Sequence, residues 1–455
     1  MSLLNNLRVL FRIDKHNLRL SRVGETMRAT GSIFIVIAMV AVGTAAIAKP
    51  PSIVKAERVG MSTERLNRIT EMSQWYVDEG KLAGVITMVA RKGRLVHFEA
   101  VGNKGADDPR PLEKDDLFRI YSMSKPITVA AVMQLYEQGK FHLSDPVSKF
   151  APELKDLKVL DADGNLVPLD SPMTMHHLLT HTTGFSYGFN PDGDPVDKFY
   201  SEANLWSAKD LDAFASVIAK LPLKFQPGNQ WHYSIAVDVT GLVIERISGL
   251  SFDEYLRQNI FEPLDMKDTF FEVPEDKADR FLPNHYWDPE NDRLATIVQE
   301  GTDAMSNYND VSLYSGGGGL VSTAMDYMRF SEAMRNGGEL DGARILSDKT
   351  VKYMAKNHLP ASISSGGTGE APLLGQRQMG FGFGLGFGVV TDAVNAGVMG
   401  SDGEFNWGGA AGTVFWIDPV EEIVVVGMIQ LMGSPWSLRS DLKVATYQAL
   451  TESYE

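Results

Sequence analysis

The segment Leu117-Phe118-Arg119-Ile120-Tyr121-Ser122-Met123-Ser124-Lys125 opens the most apolar helical stretch of this 455-residue chain. Pro126 follows in the first turn of the predicted helix, where proline is tolerated because its missing N–H would be unpaired anyway. Residues three apart lie on one helix face, so Lys125 can reach the hydroxyl of Ser122. Burial and the positive end of the helix dipole both disfavour a protonated lysine, and a helix start favours a developing oxyanion. The sequence therefore predicts a serine nucleophile at Ser122 with Lys125 as its base.

The same Ser-x-x-Lys spacing occurs at two other places, Ser52/Lys55 and Ser440/Lys443, so the spacing alone has little specificity. Ser52 lies just beyond the cleavage site predicted below, where chains are poorly ordered. Ser440 lies within the polar face of the last predicted helix, which indicates a solvated surface for that pair. The context therefore selects Ser122.

A different serine stands in Gly184-Phe185-Ser186-Tyr187-Gly188, which matches the Gly-x-Ser-x-Gly pattern of a nucleophile elbow. An elbow requires a strand before the serine and a helix after it. Here the preceding segment, 175–180, has a helical pattern, and the following segment, 190–195, is rich in turn residues. Ser186 is therefore predicted to be a loop residue, with the nucleophile role kept as an alternative.

Two histidines, His177 and His181, are four apart and could share a helix face, as in a zinc site. The metalloprotease pattern needs a glutamate directly after the first histidine, and this position is Leu178. No other cluster of metal-ligand residues accompanies the pair. We therefore expect structural, hydrogen-bonded histidines here and no metal site.

The composition excludes several classes of protein. Cysteine is absent, which excludes a cysteine nucleophile, a thiolate zinc site and a disulfide framework. Hydrophobic residues make up 44% and charged residues 22% of the chain, which is typical of globular proteins rather than disordered, collagenous or coiled-coil ones. The net charge of −15 argues against nucleic acid and anionic membrane surfaces as partners.

The first 48 residues differ from the rest of the chain. A basic region is followed by an uncharged stretch, 29–48, whose apolar centre is Ile33 to Val40. The stretch ends in Ala46-Ile47-Ala48, a small-x-small pattern. This order predicts a secretory signal cleaved after Ala48 and an exported, periplasmic or secreted protein. The alternatives are an uncleaved membrane anchor at 29–48 and a true start at Met27.

The remaining chain has strand patterns near both ends and helical patterns between them. Apolar spacing and turn residues predict helices within 62–79, 115–140, 320–335 and 438–450, and strands at 85–90, 95–101, 413–417 and 423–429. Lys92-Gly93 predicts a tight turn between the first two strands. These elements predict a mixed α/β (α+β) fold with a sheet domain from 52–145 and 305–455 and an inserted helical domain at 146–304.

The segment around Ser122 resembles the active-site segment of the serine β-lactamase superfamily, and most closely that of class C β-lactamases and family VIII carboxylesterases. Three other segments are similar to structural segments of that superfamily: His177-Leu178-Leu179-Thr180-His181-Thr182-Thr183-Gly184, Glu254-Tyr255-Leu256 and Gly317-Gly318-Gly319-Leu320-Val321-Ser322-Thr323-Ala324. The resemblance spans roughly residues 56–450. It implies a β-lactamase/transpeptidase-like fold, in which helices flank an antiparallel sheet, and it disfavours the zinc and elbow interpretations.

The second motif of the superfamily is a tyrosine, one residue, then Asn or Ser, and it falls on Tyr233-Ser234-Ile235. The tyrosine matches, and the resemblance implies that Tyr233 is the partner of the base. The third position departs from the motif, so the Asn that would contact a β-lactam side-chain amide is missing. A packed aromatic beside Trp231 is the alternative role for Tyr233.

The third motif, Lys-Thr-Gly, is absent from the chain, and Trp407-Gly408-Gly409 stands in its place as in family VIII esterases. A tryptophan cannot supply the charge that binds a β-lactam carboxylate, but it offers a flat apolar wall that suits an ester. The two glycines let the strand and the substrate approach closely. The resemblance further implies an oxyanion hole formed by the backbone N–H groups of Ser122 and Ala410.

The sequence and the resemblance together predict a carboxylesterase that works through an acyl-enzyme, with a small-molecule ester as its partner and no metal or organic cofactor. The departures at Trp407 and Ile235 favour this activity over a second one, a β-lactamase or D-alanyl peptidase. A third alternative is a non-catalytic penicillin-binding sensor. The joint presence of Ser122, Lys125 and Tyr233 argues against it.

Overall fold

The computed structural model describes residues 53–298, 308–363 and 379–454 of the chain. The predicted signal segment, 1–48, its cleavage site and Ser52 lie outside the described residues. Among the described residues, no helix is both long enough and apolar enough to cross a membrane.

The described residues form sixteen strands and eleven α-helices. In chain order the strands are β1 (Gly84–Arg91), β2 (Arg94–Gly102), β3 (Phe118–Arg119), β4 (Lys158–Leu160), β5 (Leu166–Pro168), β6 (His285–Asp288), β7 (Arg293–Thr296), β8 (Val321–Ser322), β9 (Glu339–Leu340), β10 (Ala343–Arg344), β11 (Phe381–Phe383), β12 (Gly388–Val390), β13 (Phe405–Gly408), β14 (Val414–Asp418), β15 (Ile423–Met428) and β16 (Leu431–Met432). The α-helices are α1 (Thr63–Asp78), α2 (Ser124–Glu137), α3 (Met175–Leu179), α4 (Pro195–Glu202), α5 (Leu211–Ile218), α6 (Ala236–Ser248), α7 (Phe252–Leu256), α8 (Ala324–Arg335), α9 (Asp348–Met354), α10 (Ala393–Ala396) and α11 (Leu438–Tyr447).

The main sheet has seven antiparallel strands in the order β11-β12-β13-β14-β15-β1-β2. Strand β15, from the C-terminal part of the chain, pairs with β1 from the N-terminal part, with Met88 opposite Val426. The β1–β2 hairpin turns at Lys92 and Gly93, which both have positive φ angles, as a tight two-residue turn requires. The predicted α/β fold, with an antiparallel sheet built from both ends of the chain, is therefore confirmed.

Helices cover both faces of this sheet because successive side chains of its central strands point to opposite faces. On one face, Val89 and Val425 pack with Leu66 of α1 and Leu442 of α11. On the other face, the neighbouring strand residues join a larger core that includes α2 and α8. There the ring of Tyr327 lies 4.9 Å from that of Phe415. Eleven of the 14 residues of helix α2 are buried, in keeping with its apolar sequence.

The middle of the chain is mainly helical and includes α3 to α7. Helix α6 packs against α2, so this helical part lies against the segment that carries Ser122. The division into a sheet domain and an inserted helical domain stays a prediction. One predicted helix begins later than expected: Val321–Ser322 pairs with β3, and α8 begins at Ala324, capped by the Thr323 side chain.

Asp326 in the first turn of α8 provides a test of the folded structure through pH. Its carboxylate accepts hydrogen bonds from the Asp268 N–H (2.7 Å) and the Thr269 hydroxyl (3.0 Å), and burial raises its pKa from 3.8 to about 6. Below pH 3.8, the ordinary pKa that applies to the unfolded chain, the carboxyl group is protonated in both the folded and the unfolded state. As the pH rises from there to about 6, the pKa in the folded protein, the unfolded chain releases its proton first, so this group's contribution to stability is lost.

We expect Asp326→Asn to remove that loss. The unfolding free energy of the variant minus that of the unmodified protein should increase by roughly 2–3 kcal/mol when the pH is raised from about 4 to about 7. Urea unfolding of both proteins at the two pH values measures the gain. An equal stability difference at both values would contradict the assignment.

Candidate active site

Ser122 lies where β3 passes into α2. Tyr121–Met123 forms a single 3-10 turn, and the α-helix continues from Ser124. Tyr121 has a φ of +42°, an uncommon conformation for a residue other than glycine. Its hydroxyl accepts a 2.7 Å hydrogen bond from the Asn284 side chain, and the Tyr327 hydroxyl donates to the Met123 carbonyl over 2.9 Å. These contacts hold the turn, which leaves Ser122 half-buried rather than within the helix.

Ser122, Lys125 and Tyr233 are brought together. The Lys125 amine donates to Ser122 Oγ over 3.3 Å, and the Tyr233 hydroxyl donates to the same oxygen over 2.5 Å. The first pair follows from the i, i+3 spacing at the helix start. The second joins residues 111 positions apart in the chain. The serine hydroxyl therefore lies within hydrogen-bond distance of two groups that can accept and return its proton.

The Lys125 side chain is almost completely buried, with 1% of the residue exposed. Its amine also donates a 2.7 Å hydrogen bond to the carbonyl of Gly317. It lies 4.4 Å from the ring centre of Tyr233 and 5.2 Å from that of Tyr187. Lys125 is therefore fixed by a carbonyl on one side and by aromatic rings on others.

Tyr233 lies in the loop before α6, among aromatic rings. Its ring centre is 5.0 Å from that of His181, 5.3 Å from that of Tyr187 and 5.6 Å from that of Trp407. Burial holds the pKa of His181 well below its usual value of 6.5, and the charge of Lys125 acts in the same direction. His181 is therefore neutral at physiological pH and serves as a packing partner of Tyr233. The ring centre of Trp231, the neighbour of Tyr233 that the sequence predicts, lies 6.4 Å from that of Tyr233.

The Trp407-Gly408-Gly409 segment forms the end of β13 and the start of the loop beyond it. A Cβ atom on Gly409 would fall 2.5 Å from the Ile120 carbonyl oxygen and against the Thr413 hydroxyl, so only glycine allows this approach. Ala410 follows. Within the described residues its N–H has no hydrogen-bond acceptor, while its carbonyl accepts from the Gly433 N–H over 3.2 Å.

A cavity of about 280 Å³ opens at Ser122. Tyr233, Trp407, Gly408, Gly409 and Ala410 all line it together with Ser122. Most of the remaining wall is apolar and includes Phe189, Ile429, Trp436 and Leu438, whereas Arg439 contributes a cation. The site thus combines a hydrogen-bonded serine with a largely apolar cleft, an arrangement suited to acyl transfer.

Ile235 occupies the third position of the tyrosine motif and is completely buried. It offers no polar group to the cavity. Ser234, the residue between, faces His181 instead: its N–H donates to His181 Nδ1 over 3.3 Å. The polar contact that an asparagine would make at this motif is therefore missing.

The other candidate residues have structural contacts. Ser186 is a buried loop residue, as predicted, and donates a 2.5 Å hydrogen bond to Asp197, which in turn pairs with Lys224. His177 completes the N-terminal cap of α3, where it exchanges hydrogen bonds with Thr174. In the described parts of the chain, no group of three His, Cys, Asp or Glu residues could hold a metal ion.

The Ser440/Lys443 pair corrects part of the sequence interpretation. Ser440 is exposed, as predicted, but Lys443 is buried and does not lie on a solvated face. Its amine forms an ion pair with Glu404, which is completely buried. The prediction failed because the partner that stabilises the buried charge lies 39 residues away in the sequence.

Sequence reasoning missed Tyr187, Phe189 and Asp238. The ring of Tyr187 stacks on that of Phe189 at 5.1 Å, and the Tyr187 hydroxyl donates to Asp238 over 3.1 Å. Phe189 is 57% exposed although it is a large apolar residue, because it forms part of the cavity wall. The one available signal was an acidic residue, Asp238, within the otherwise apolar start of α6.

Comparisons with known proteins agree with this geometry. The Beta-lactamase family model matches residues 68–449. Protein Rv1367c of Mycobacterium tuberculosis is 36% identical over 360 residues, which cover 78% of this chain and 87% of that protein. Esterase EstB of Burkholderia gladioli is 31% identical over 356 residues, which cover 75% and 84%.

Among solved structures, EstCE1, described as a hydrolase with promiscuous acyltransferase activity, superposes with a TM-score of 0.72. It is 27% identical, and the match covers 85% of this chain and 99% of that one. The fold that carries Ser122 is therefore shared with EstCE1, and the sequence is similar to that of a protein named an esterase, EstB.

Proposed function

The chain belongs to the Beta-lactamase family and is a serine hydrolase with esterase-like relatives, and we propose that it is a carboxylesterase acting on small esters through an acyl-enzyme at Ser122. The observation that carries the proposal is the convergence of Lys125 and Tyr233 on the Ser122 hydroxyl beside an apolar cavity. EstB is named an esterase and EstCE1 a hydrolase, which supports the same chemistry.

In the proposed acylation step, Ser122 Oγ attacks the ester carbonyl carbon and its proton passes to the Lys125 and Tyr233 pair. The carbonyl π-electrons move to the oxygen, which is bound by the N–H groups of Ser122 and Ala410. Each such donor contributes roughly 3–4 kcal/mol to the transition state in comparable enzymes. The tetrahedral intermediate then collapses, the ester C–O bond breaks, and the Tyr233 hydroxyl returns the proton to the leaving alcohol.

In the proposed deacylation step, water takes the place of the alcohol. Tyr233 and Lys125 accept a proton from the water as its oxygen attacks the acyl carbon. The bond to Ser122 Oγ then breaks, and the same pair returns the proton to the serine. The products are a carboxylic acid and the free enzyme.

The substrate class follows from the cavity wall. Trp407 stands where β-lactamases carry a carboxylate-binding lysine, and Ile235 where they carry an amide-binding asparagine. Each missing polar contact should weaken a charged β-lactam by roughly 1–3 kcal/mol, about 5- to 150-fold. We expect short-chain p-nitrophenyl esters to exceed a chromogenic cephalosporin in kcat/KM by at least about a hundredfold. Side-by-side assays with esters of graded acyl length measure the ratio.

Trp407→Lys is the matching variant. The preference for esters should shrink in it, mainly because ester binding worsens once the apolar wall is lost. Comparable or higher kcat/KM on the cephalosporin in the unmodified protein would overturn the esterase proposal in favour of a β-lactamase.

One observation favours that second candidate, a β-lactamase or D-alanyl peptidase. Arg439 lines the cavity, and a Cβ atom on Gly408 would overlap its guanidinium. A cation therefore lies beside the strand that carries Trp407, although no lysine is present in the motif itself. The same assays separate the two candidates, because only an enzyme that uses Arg439 for a substrate carboxylate would prefer the charged lactam.

We also propose that the enzyme is exported. The support is the order of a basic region, an uncharged apolar stretch and a small-x-small ending in residues 1–48.

A further inference from the structure

A buried carboxyl group is linked to Lys125 through a single residue. Asp238 lies in the first turn of α6 with 1% of its surface exposed. In the described part of the chain, its hydrogen bonds come from neutral groups: the Ser315 hydroxyl at 2.5 Å, the Gly317 N–H at 2.9 Å and the Tyr187 hydroxyl at 3.1 Å. A buried carboxylate with three donors is fixed in place, and the mechanism above gives it no role.

Gly317 is the connecting residue. Its N–H donates to Asp238, and its carbonyl accepts the 2.7 Å hydrogen bond from the Lys125 amine. A Cβ atom at this position would fall against the Asp238 carboxylate and 2.7 Å from the Tyr187 hydroxyl. Glycine is therefore required for the close approach. The position of Asp238 determines the position of the Gly317 carbonyl, which accepts the hydrogen bond from Lys125.

The two charges also influence each other. Burial raises the pKa of Asp238 from its usual value of 3.8, while the positive charge of Lys125 opposes that increase. Two other titratable side chains of the described residues near Lys125 are neutral at physiological pH, because burial keeps the pKa of His181 well below 6.5 and that of Tyr187 well above 10.0. Tyr233 also faces the amine, with its ring centre 4.4 Å away. Ile235 adds no polar contact. In the described part of the chain, Asp238 is thus an acidic group electrostatically coupled to Lys125.

We propose that Asp238 is a positioning residue for Lys125: it fixes the Gly317 carbonyl that holds the amine, and its negative charge determines the pH at which the amine can accept the proton of Ser122. The proposal rests on the proposed function, in which Lys125 is the base. It adds a residue to the proton-transfer machinery that does not touch the substrate.

The test is the pH dependence of kcat/KM for a p-nitrophenyl ester in Asp238→Asn. Loss of the negative charge makes protonated Lys125 easier to deprotonate, so the acid limb of the profile should move to lower pH by about one unit. The pH dependence of fluorophosphonate labelling at Ser122 should move equally, because labelling reports acylation alone. Asp238→Glu keeps the charge and should restore a limb close to that of the unmodified enzyme.

Two further variants provide a control and a second test of the inference. Asp326→Asn removes a different buried carboxyl group with a raised pKa, outside the cavity, and should leave the acid limb unmoved. Ser315→Ala removes the shortest donor to the ionised Asp238 and should move the limb in the same direction by a smaller amount. This variant serves if Asp238→Asn does not fold, as judged by circular dichroism.

An unmoved acid limb in folded Asp238→Asn, or in Ser315→Ala if that variant is used, would overturn the inference even where activity falls. Such a result would assign Asp238 a purely structural role. An unmodified enzyme that hydrolyses no ester would instead overturn the proposed function, so the two failures are distinguishable.

Discussion

Ser122→Ala should lose nearly all ester hydrolysis, by at least about 10⁴-fold in kcat. The variant removes the oxygen that receives the acyl group, and neither Lys125 nor Tyr233 can replace it as a nucleophile in this geometry. The cavity and the proposed oxyanion donors remain, so the fold and substrate binding should change little. Steady-state assays and thermal melting of the purified variant measure the two quantities.

Ser186→Ala is the matched control. Ser186 is buried and hydrogen-bonded to Asp197, so its loss should cost some stability while most of the turnover remains. A folded but inactive Ser186→Ala protein beside an active Ser122→Ala protein would refute the assignment of the nucleophile.

Lys125→Arg should lower the rate of acylation by about 10²- to 10⁴-fold. Arginine keeps the positive charge but does not deprotonate near neutral pH, so it cannot act as the base. The rate of labelling by a fluorophosphonate isolates this step from deacylation. Near-normal labelling of the variant would mean that Lys125 only positions Ser122.

Lys443→Arg is the control for placing a larger cation in a buried site. Lys443 is also buried, and arginine can keep its ion pair with Glu404. This variant should label at close to the normal rate. The comparison separates loss of the base from general disturbance of a packed interior.

The parts of the fold that depend on local sequence were predictable. The Lys92-Gly93 turn sets the first hairpin, and the pairing of Ser122 with Lys125 follows from their spacing at a helix start. Tyr233 could be assigned only by resemblance, since no local pattern indicates a contact across 111 residues.

The remaining parts depend on long-range contacts between polar groups. Burial of Lys443 depends on Glu404, and the role inferred for Asp238 depends on Gly317, 79 residues further along the chain. An acidic residue in the first turn of a helix is ordinarily explained by the helix dipole, so the signal at Asp238 did not by itself indicate a role in the site. The Tyr121 conformation is likewise imposed by its surroundings rather than by its residue type.

The most direct test of the account is to trap the acyl-enzyme. A reaction with a p-nitrophenyl ester is quenched in acid and digested with trypsin, which leaves residues 120–140 as one peptide because Pro126 blocks cleavage after Lys125. This peptide is expected to gain the mass of one acyl group, localised by fragmentation to Ser122. Acylation of the separate peptide 159–198, which contains Ser186, or of no peptide while turnover proceeds, would contradict it.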